Sequence, residues 1–153
     1  MNDSRKVITY NRAVRHAYEI TETLECGIVL TGTEVKALRQ HGCSIKEAWC
    51  DVVDGELVIK QMHITPYEQG NIFNVDPMRI RKLLVHKRVI EMIERAIQTK
   101  GLTCVPLEVY FKGSHVKVEV GIARGLKLYD KREKSAKETA KRDIERALKN
   151  SVK

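Results

Sequence analysis

The chain has 153 residues, a formal net charge of +8 and a sequence pI of about 9.4. This length suits one domain with an appendage better than two full domains. No apolar run approaches the roughly 20 residues that a membrane-spanning helix needs, and the N-terminus lacks the apolar segment of a secretory signal. We therefore expect a cytoplasmic protein without a membrane partner, and the excess of cations predicts a partner rich in phosphates.

The first half of the chain predicts strands. Residues 16–30 mix alternating and β-branched positions and predict one or two strands, with a bend or bulge at Gly27. Further on, Asp54-Gly55 separates two runs rich in Val, Ile and Leu. Such a dipeptide between apolar runs predicts a β-hairpin with a tight turn.

A short helix is predicted between these strands by the segment "TGTEVKALRQHG". Thr31 or Thr33 can serve as the N-cap, and Glu34 follows Thr31 at the spacing of a capping box. Gly42 is placed to end the helix.

The second half predicts a loop, two helices and a second hairpin. Residues 63–76 show no clear period and predict a loop, after which Asp76-Pro77 predicts a helix entry. The segment "HKRVIEMIERAIQTKG" carries one apolar stripe and predicts the longest helix. Two alternating runs then flank Gly113-Ser114 and predict a hairpin. About six short strands with two or three helices, without a βαβ rhythm, predict a mainly β fold: a small, partly closed antiparallel barrel of the oligonucleotide-binding (OB) type.

The C-terminal end concentrates the positive charge. Residues 124–153 carry eleven Lys and Arg against five Asp and Glu, whereas residues 1–123 carry seventeen against fifteen. In residues 131–153 the apolar positions are mostly Ala, whose burial cannot offset the entropy of ordering the chain. We predict a domain over residues 1–130 and a tail over 131–153 that is disordered when free and helical against a polyanion. A solvated surface helix packed on the barrel is the alternative.

Nothing in the sequence points to catalysis. The four cysteines form no C-x-x-C pair and have no His at zinc-finger spacing, which favours small buried hydrophobes in a reduced compartment. Asp51, Asp54 and Glu56 could suggest a metal-dependent nuclease, but two of them flank the predicted turn, where acidic residues are ordinary. We therefore predict no enzymatic activity, no metal and no cofactor. A nuclease or RNA-modifying enzyme on a similar barrel, and a single-strand binder of the cold-shock type, are the competing hypotheses.

Clusters of cations instead predict RNA binding, because Arg and Lys neutralise phosphates. The clusters are Arg12, Arg15 and His16 before the first strand, Arg79, Arg81 and Lys82 in "RIRK", and Arg124 and Lys127 in "RGLK". Tyr129 lies within a basic stretch, where it could stack on an exposed base or cover the end of the barrel.

The segments "NRAVRHAYEI", "ECGIVLTGTEVKALR", "RIRKLLVHKRVI" and "KVEVGIARGLKLYDKRE" occur in this order. Together they closely resemble the small protein B (SmpB) family, the SsrA-binding proteins of bacterial trans-translation, over about residues 7–150. The resemblance implies a non-enzymatic protein that binds the tRNA-like domain of transfer-messenger RNA. It implies delivery of that RNA, alanylated and with elongation factor Tu and GTP, to ribosomes stalled without a stop codon. The basic tail would enter the vacant mRNA channel and fold there, and we expect a monomer.

The resemblance also implies particular site residues. Asn11, Glu25, Arg124 and Lys127 correspond to RNA-facing positions of the family, and Lys36 of "GTEVK" joins the predicted RNA-binding set. The ribosome-binding positions are Tyr129, Asp130, Lys131 and Arg132 in the segment that meets the decoding centre, and Ala147 and Leu148 in the tail.

Overall fold

The structure is a computed structural model that describes residues 5–125, apart from the side chains of residues 71–73. In chain order its elements are β1 (Arg5–Tyr10), α1 (Val14–Ala17), β2 (Tyr18–Ile28), α2 (Gly32–His41), β3 (Cys43–Ser44), β4 (Trp49–Val53), β5 (Glu56–Lys60), β6 (His63–Ile64), a 3-10 helix (Glu68–Phe73), β7 (Arg81–Leu84), α3 (Lys87–Lys100), β8 (Thr103–Lys112) and β9 (His115–Gly125). The predicted tail lies outside the described residues.

Six of these strands form a closed antiparallel ring. Their order is β8-β4-β5-β7-β2-β9, and β9 pairs with β8 again to complete the circuit. β9 occupies one edge of β8 from Thr103 to Lys112, so β4 and β1 share the other edge. β4 pairs with β8 at Cys104, and β1 pairs with residues 108–112. The predicted mainly β antiparallel barrel of about six strands is confirmed.

Local signals placed both long helices correctly. α2 begins with a capping box in which the Thr31 hydroxyl accepts from the Glu34 N–H and the Glu34 carboxylate accepts from the Thr31 N–H. Gly42 ends this helix with a φ of 74°, a backbone conformation that favours glycine. α3 buries Ile90 and Ile93 and packs against β4 and β8.

The two predicted hairpins are also confirmed. Asp54 and Gly55 join β4 to β5 with φ angles of 51° and 77°, the two positive values that a type I′ turn requires. Gly113, with a φ of 63°, turns the chain from β8 into β9.

Two local predictions are wrong. The irregularity in β2 falls between Ile20 and Glu22, not at Gly27, which is regularly paired with strands on both sides. A Cβ at Gly27 would lie 3.3 Å from the Leu84 Cβ, so close strand approach accounts for the glycine. The predicted helix at Asp76-Pro77 is a turn, in which the Asp76 carboxylate accepts from the Met78 N–H, because Asp before Pro begins turns as readily as helices.

The remaining differences lie at the N-terminus and in the predicted loop over residues 63–76. Arg12, Arg15 and His16 were predicted to precede the first strand, but they follow β1, which pairs with β8. The predicted loop also contains regular elements. It contains β6, which pairs with β3, and the 3-10 helix.

The barrel interior is apolar, and a smaller apolar cluster lies at one end. The interior includes Cys26, Cys50 and Cys104, which confirms these three as buried hydrophobes. The smaller cluster joins Val14 of α1 to Val105, Leu107 and Ala123 of β8 and β9. It therefore fixes the short helix α1 to the end of the barrel.

Candidate nucleic-acid interface

Asn11 anchors the segment that carries the first predicted cations. Its side chain is buried, its Nδ2 donates to the Ile45 carbonyl at 3.0 Å, and its Oδ1 accepts from the Val14 N–H at 3.3 Å. Because the amide is engaged at both ends by protein groups, Asn11 orients the start of α1. Direct contact between Asn11 and RNA stays a prediction.

The residues around α1 form an exposed cationic surface. Arg12, Arg15 and His16 are exposed and line a groove of about 350 Å³ together with Tyr10 and Leu107. The Arg12 Nε donates to the Tyr10 hydroxyl at 2.7 Å, and its guanidinium lies 5.1 Å from the centre of the Tyr10 ring. The structure thus brings three predicted RNA-binding residues together, and we call this group the α1 patch.

The end of β9 lies next to the α1 patch. Gly125 is paired with Tyr18, the first residue after α1, and Arg124 is paired with Glu19. The Arg124 Nη2 donates to the Glu19 carboxylate at 2.7 Å, and both side chains are about half exposed. The chain therefore leaves the barrel beside the α1 patch. The roles predicted for Lys127, Tyr129, Asp130, Lys131, Arg132, Ala147 and Leu148 fall outside the described residues.

Glu25 lies on the outer face of β2, in its central part. The Tyr110 hydroxyl donates to Glu25 Oε2, and the Lys112 Nζ lies 3.4 Å from Glu25 Oε1. The hydrogen bond from Tyr110 is the main cause that lowers the pKa of Glu25 below its usual range, and the positive charge of Lys112 adds to it. Glu25 is therefore an ionised, accessible acceptor.

A buried ionic network at the other end of β2 corrects one prediction. The Arg81 side chain is fully buried, and it donates from Nε to Glu34 Oε2 at 2.6 Å and from Nη1 to the Met62 carbonyl at 2.7 Å. Arg79 donates to the other Glu34 oxygen at 2.6 Å and keeps about a third of its side chain exposed. Burial contradicts direct RNA contact for Arg81, which is a structural residue, whereas contact by Arg79 stays a prediction.

Lys36 and Lys82 are exposed near this network. The Lys36 Nζ lies 5.7 Å from the centre of the Tyr67 ring and lines a groove of about 400 Å³. The Lys82 Nζ lies 3.2 Å from the Glu56 carboxylate. Both side chains can reach solvent, and their contacts with RNA stay predictions.

The predicted RNA-binding residues thus form two groups at opposite ends of β2. Tyr18 and Glu19 begin the strand beside the α1 patch, whereas the Val29 carbonyl, just past its end, accepts from Arg79 at 3.3 Å. Eleven strand residues span roughly 30 Å at about 3.3 Å per residue. Glu25 lies between the groups.

Sequence reasoning missed a third cationic surface. Lys6, Arg39 and His41 line a groove of about 520 Å³ between β1 and the end of α2, and Arg39 lies over the Phe111 ring. Arg39 and His41 share a predicted helix, which is a usable signal. Only the pairing of β1 with β8 adds Lys6 to them.

The acidic residues of the competing nuclease hypothesis do not converge. The Asp51 carboxylate lies 3.4 Å from the Lys60 Nζ, Glu56 pairs with Lys82, and Asp54 is in the hairpin turn. Within residues 5–125, no group of three or more His, Cys, Asp and Glu residues could hold a metal ion. Among the helices of the same range, none is long and apolar enough to cross a membrane.

Comparison with known proteins agrees with this arrangement. The family model "SmpB protein" matches residues 8–150. The chain belongs to the SmpB family. It is 54% identical to the SsrA-binding protein of Acetivibrio thermocellus over 97% of each chain, and 49% identical to that of Ruminiclostridium cellulolyticum over 99% of each.

Similarity extends to a relative from another genus and to a solved structure. The SsrA-binding protein of Chloroflexus aurantiacus is 51% identical over 95% of this chain and 91% of its own length. A chain from the solved structure "tmRNA-SmpB: a journey to the center of the bacterial ribosome" is 45% identical, with a TM-score of 0.66 over 82% of this chain and 92% of that one. The SmpB-family barrel is therefore shared in both sequence and fold.

Proposed function

We propose that this member of the SmpB family binds the tRNA-like domain of transfer-messenger RNA and delivers it to stalled ribosomes for trans-translation. The observation that carries this function is similarity to SsrA-binding proteins over nearly the full length of both chains. The similarity to a chain of a tmRNA-SmpB ribosome structure supports the same conclusion.

The α1 patch and Glu25 support RNA as the ligand. Cations bind the phosphates of any RNA, whereas sequence and sugar are distinguished by hydrogen bonds to base edges and 2′-hydroxyls. Arg12, Arg15 and His16 supply the first kind of contact at the surface next to the end of β9. Glu25, held as an ionised acceptor, supplies the second kind.

The finer parts of the function complete the proposal. The protein acts in the cytoplasm as a monomer, and it meets elongation factor Tu and GTP through the alanylated RNA. Residues 129–132 contact the decoding centre, and residues 131–153 enter the mRNA channel and become helical there. The high positive charge of residues 124–153 supports this role for the tail.

The proposed role is non-enzymatic. The acidic residues that favoured a nuclease are engaged with lysines or lie in a turn, which supports binding over metal-dependent cleavage. Cleavage of RNA that requires a divalent metal and is lost in Asp51→Ala would reverse this conclusion.

The test is selective binding by the full chain. Fluorescence anisotropy should show tighter binding to a transcript of the tRNA-like domain than to a random single strand of the same length. If about six phosphates are contacted, log K should fall with log salt at a slope of roughly −4 to −5. Equal affinity for both RNAs would favour a generic single-strand binder, and a flat salt response would contradict phosphate contact.

A further inference from the structure

Three carboxylates lie side by side across three neighbouring strands on the outer face of the barrel. Glu25 of β2 is directly opposite Glu119 of β9, and Glu119 is directly opposite Glu108 of β8. Like charges at directly opposite positions destabilise a sheet. This row therefore needs compensation from neighbouring side chains.

Arg5 compensates two of the three carboxylates. Its Nη2 lies 3.0 Å from Glu108 Oε1 and 2.8 Å from Glu119 Oε2. The guanidinium also lies over the Tyr110 ring, with its central carbon 3.7 Å from the ring centre. β1, which lies outside the closed ring of strands, thus brings a cation that covers Tyr110.

Tyr110 in turn holds the third carboxylate. Its side chain is buried, with an exposed fraction of 1%, yet its hydroxyl donates to Glu25 Oε2. Burial and the bond to Glu25 both raise the pKa of Tyr110, so the hydroxyl stays protonated and remains a donor. The Glu25 side chain is still 37% exposed, and each carboxylate oxygen has lone pairs to spare for a second donor.

We propose that Tyr110, held in place by Arg5, is a positioning residue that fixes Glu25 as an acceptor for a base amino group of the RNA. The inference rests on the proposed function, because it assumes that Glu25 faces the RNA. A carboxylate that accepts from a base amino group discriminates between RNAs of different sequence, whereas cations bind all phosphates alike. Tyr110 therefore governs the preference for the tRNA-like domain and leaves the salt dependence unchanged.

A double-mutant cycle separates positioning from packing. Affinities for a transcript of the tRNA-like domain and for an unrelated folded tRNA are measured for the full chain, Tyr110→Phe, Glu25→Gln and the double variant. Each single change should weaken binding of the transcript about tenfold, the size expected for losing one bond to a charged group, with little effect on the tRNA. The double variant should bind no more weakly than Glu25→Gln alone. Additive losses would overturn the proposal, because they mean that Tyr110 does not act through Glu25.

An NMR titration tests the hydrogen bond between Tyr110 and Glu25 in the absence of RNA. The Glu25 carboxyl carbon is followed by NMR as pH is lowered. Tyr110, Lys112 and Lys117 favour the ionised form of Glu25, and its partial burial opposes that form. Removing the hydroxyl in Tyr110→Phe should move the Glu25 midpoint to higher pH, since its hydrogen bond is the main cause of the low pKa. An unchanged midpoint would overturn the proposal.

A variant at the partly exposed Arg5 tests the same proposal without depending on the folding of the Tyr110 variant. Arg5→Gln should reduce preference for the transcript about threefold, whereas Arg95→Gln, an exposed cation of α3, should leave it unchanged. Equal effects of the two changes would contradict the role of Arg5.

If the unmodified chain shows no preference for the transcript, the proposed function fails and the inference with it. If the unmodified chain shows the preference and Tyr110→Phe retains it in full, only the inference fails.

Discussion

Glu34 of α2 and Arg81 of β7 form an ion pair that is almost entirely withdrawn from solvent. The Arg81 Nε lies 2.6 Å from Glu34 Oε2, and the two side chains are 0% and 4% exposed, respectively. The same carboxylate accepts from Arg79 and from the Thr31 N–H. One side chain thus joins the first turn of α2 to the entry of β7.

Removing Glu34 should destabilise the fold strongly. Glu34→Ala leaves the buried Arg81 without its counter-charge, and losing one partner of a buried pair costs about 3–5 kcal/mol. Urea denaturation of the full chain measures the loss in free energy of unfolding. Glu22→Ala, at an exposed position of β2, should change it by less than about 0.5 kcal/mol. A loss below about 1 kcal/mol at Glu34 would show that the network is unimportant to stability.

The same pair should make stability sensitive to acid. Burial tends to raise the pKa of Glu34, but hydrogen bonds from Arg79, the Thr31 backbone and Arg81 outweigh burial and hold it below the ordinary 4.5. A carboxyl whose pKa is lower in the folded state stabilises the protein fully above its unfolded pKa, and that stabilisation is lost as pH falls through the folded pKa. Urea midpoints measured below about pH 4.5 should therefore drop more steeply for the unmodified chain than for Glu34→Gln. Parallel pH profiles would contradict this linkage.

A side chain at Gly121 should destabilise the barrel. A Cβ there would lie 3.0 Å from Leu107 Cδ1 and 3.1 Å from Ile20 Cγ2, and overpacking of this kind costs about 1–3 kcal/mol. Thermal unfolding of Gly121→Ala should therefore begin at a lower temperature. Gly125→Ala is the matched control on the same strand, since its nearest neighbour, Tyr18 Cε1, would be 3.9 Å away. Equal melting temperatures for the two variants would show that β9 relaxes around residue 121.

Arg12 should contribute affinity without selectivity. Arg12→Ala removes one cation of the α1 patch, so the slope of log K against log salt should become shallower by about one. Binding of the tRNA-like transcript and of an unrelated tRNA should weaken by similar factors. Arg95→Ala serves as the control because Arg95 is an exposed cation with no predicted RNA contact. A selective loss for the transcript alone would mean that Arg12 reads bases.

Truncation at the end of the barrel should separate RNA binding from the tagging of incomplete peptides. Truncation after Asp130 should leave affinity for the tRNA-like transcript within about threefold, provided the tail contributes few phosphate contacts. Tagging of incomplete peptides on stalled ribosomes in a reconstituted translation system should be lost. Loss of both activities together would contradict the division between barrel and tail.

Short-range signals in the sequence determined the elements whose hydrogen bonds are local. The capping box of Thr31 and Glu34 starts α2, and Asp54-Gly55 forms the predicted tight turn. Each depends on residues no more than a few positions apart, so the chain specifies it before any tertiary contact exists. The resemblance to the SmpB family could also be recognised from the sequence, because it rests on segments that occur in a fixed order along the chain.

Tertiary structure decided what depends on residues far apart in the chain. The sequence does not distinguish Arg81 from Arg79 and Lys82 in "RIRK". Only the tertiary structure buries its guanidinium beside Glu34 and the Met62 carbonyl. Likewise, the hydroxyl that holds Glu25 comes from a residue 85 positions away. The alternation of apolar and polar residues along one strand predicts which side chains share a face of the sheet. Which strands are neighbours depends on how the ring of strands closes. The exposure, the ion pairing and the pKa of a side chain depend on the neighbouring strands, and the sequence alone does not predict which strands these are.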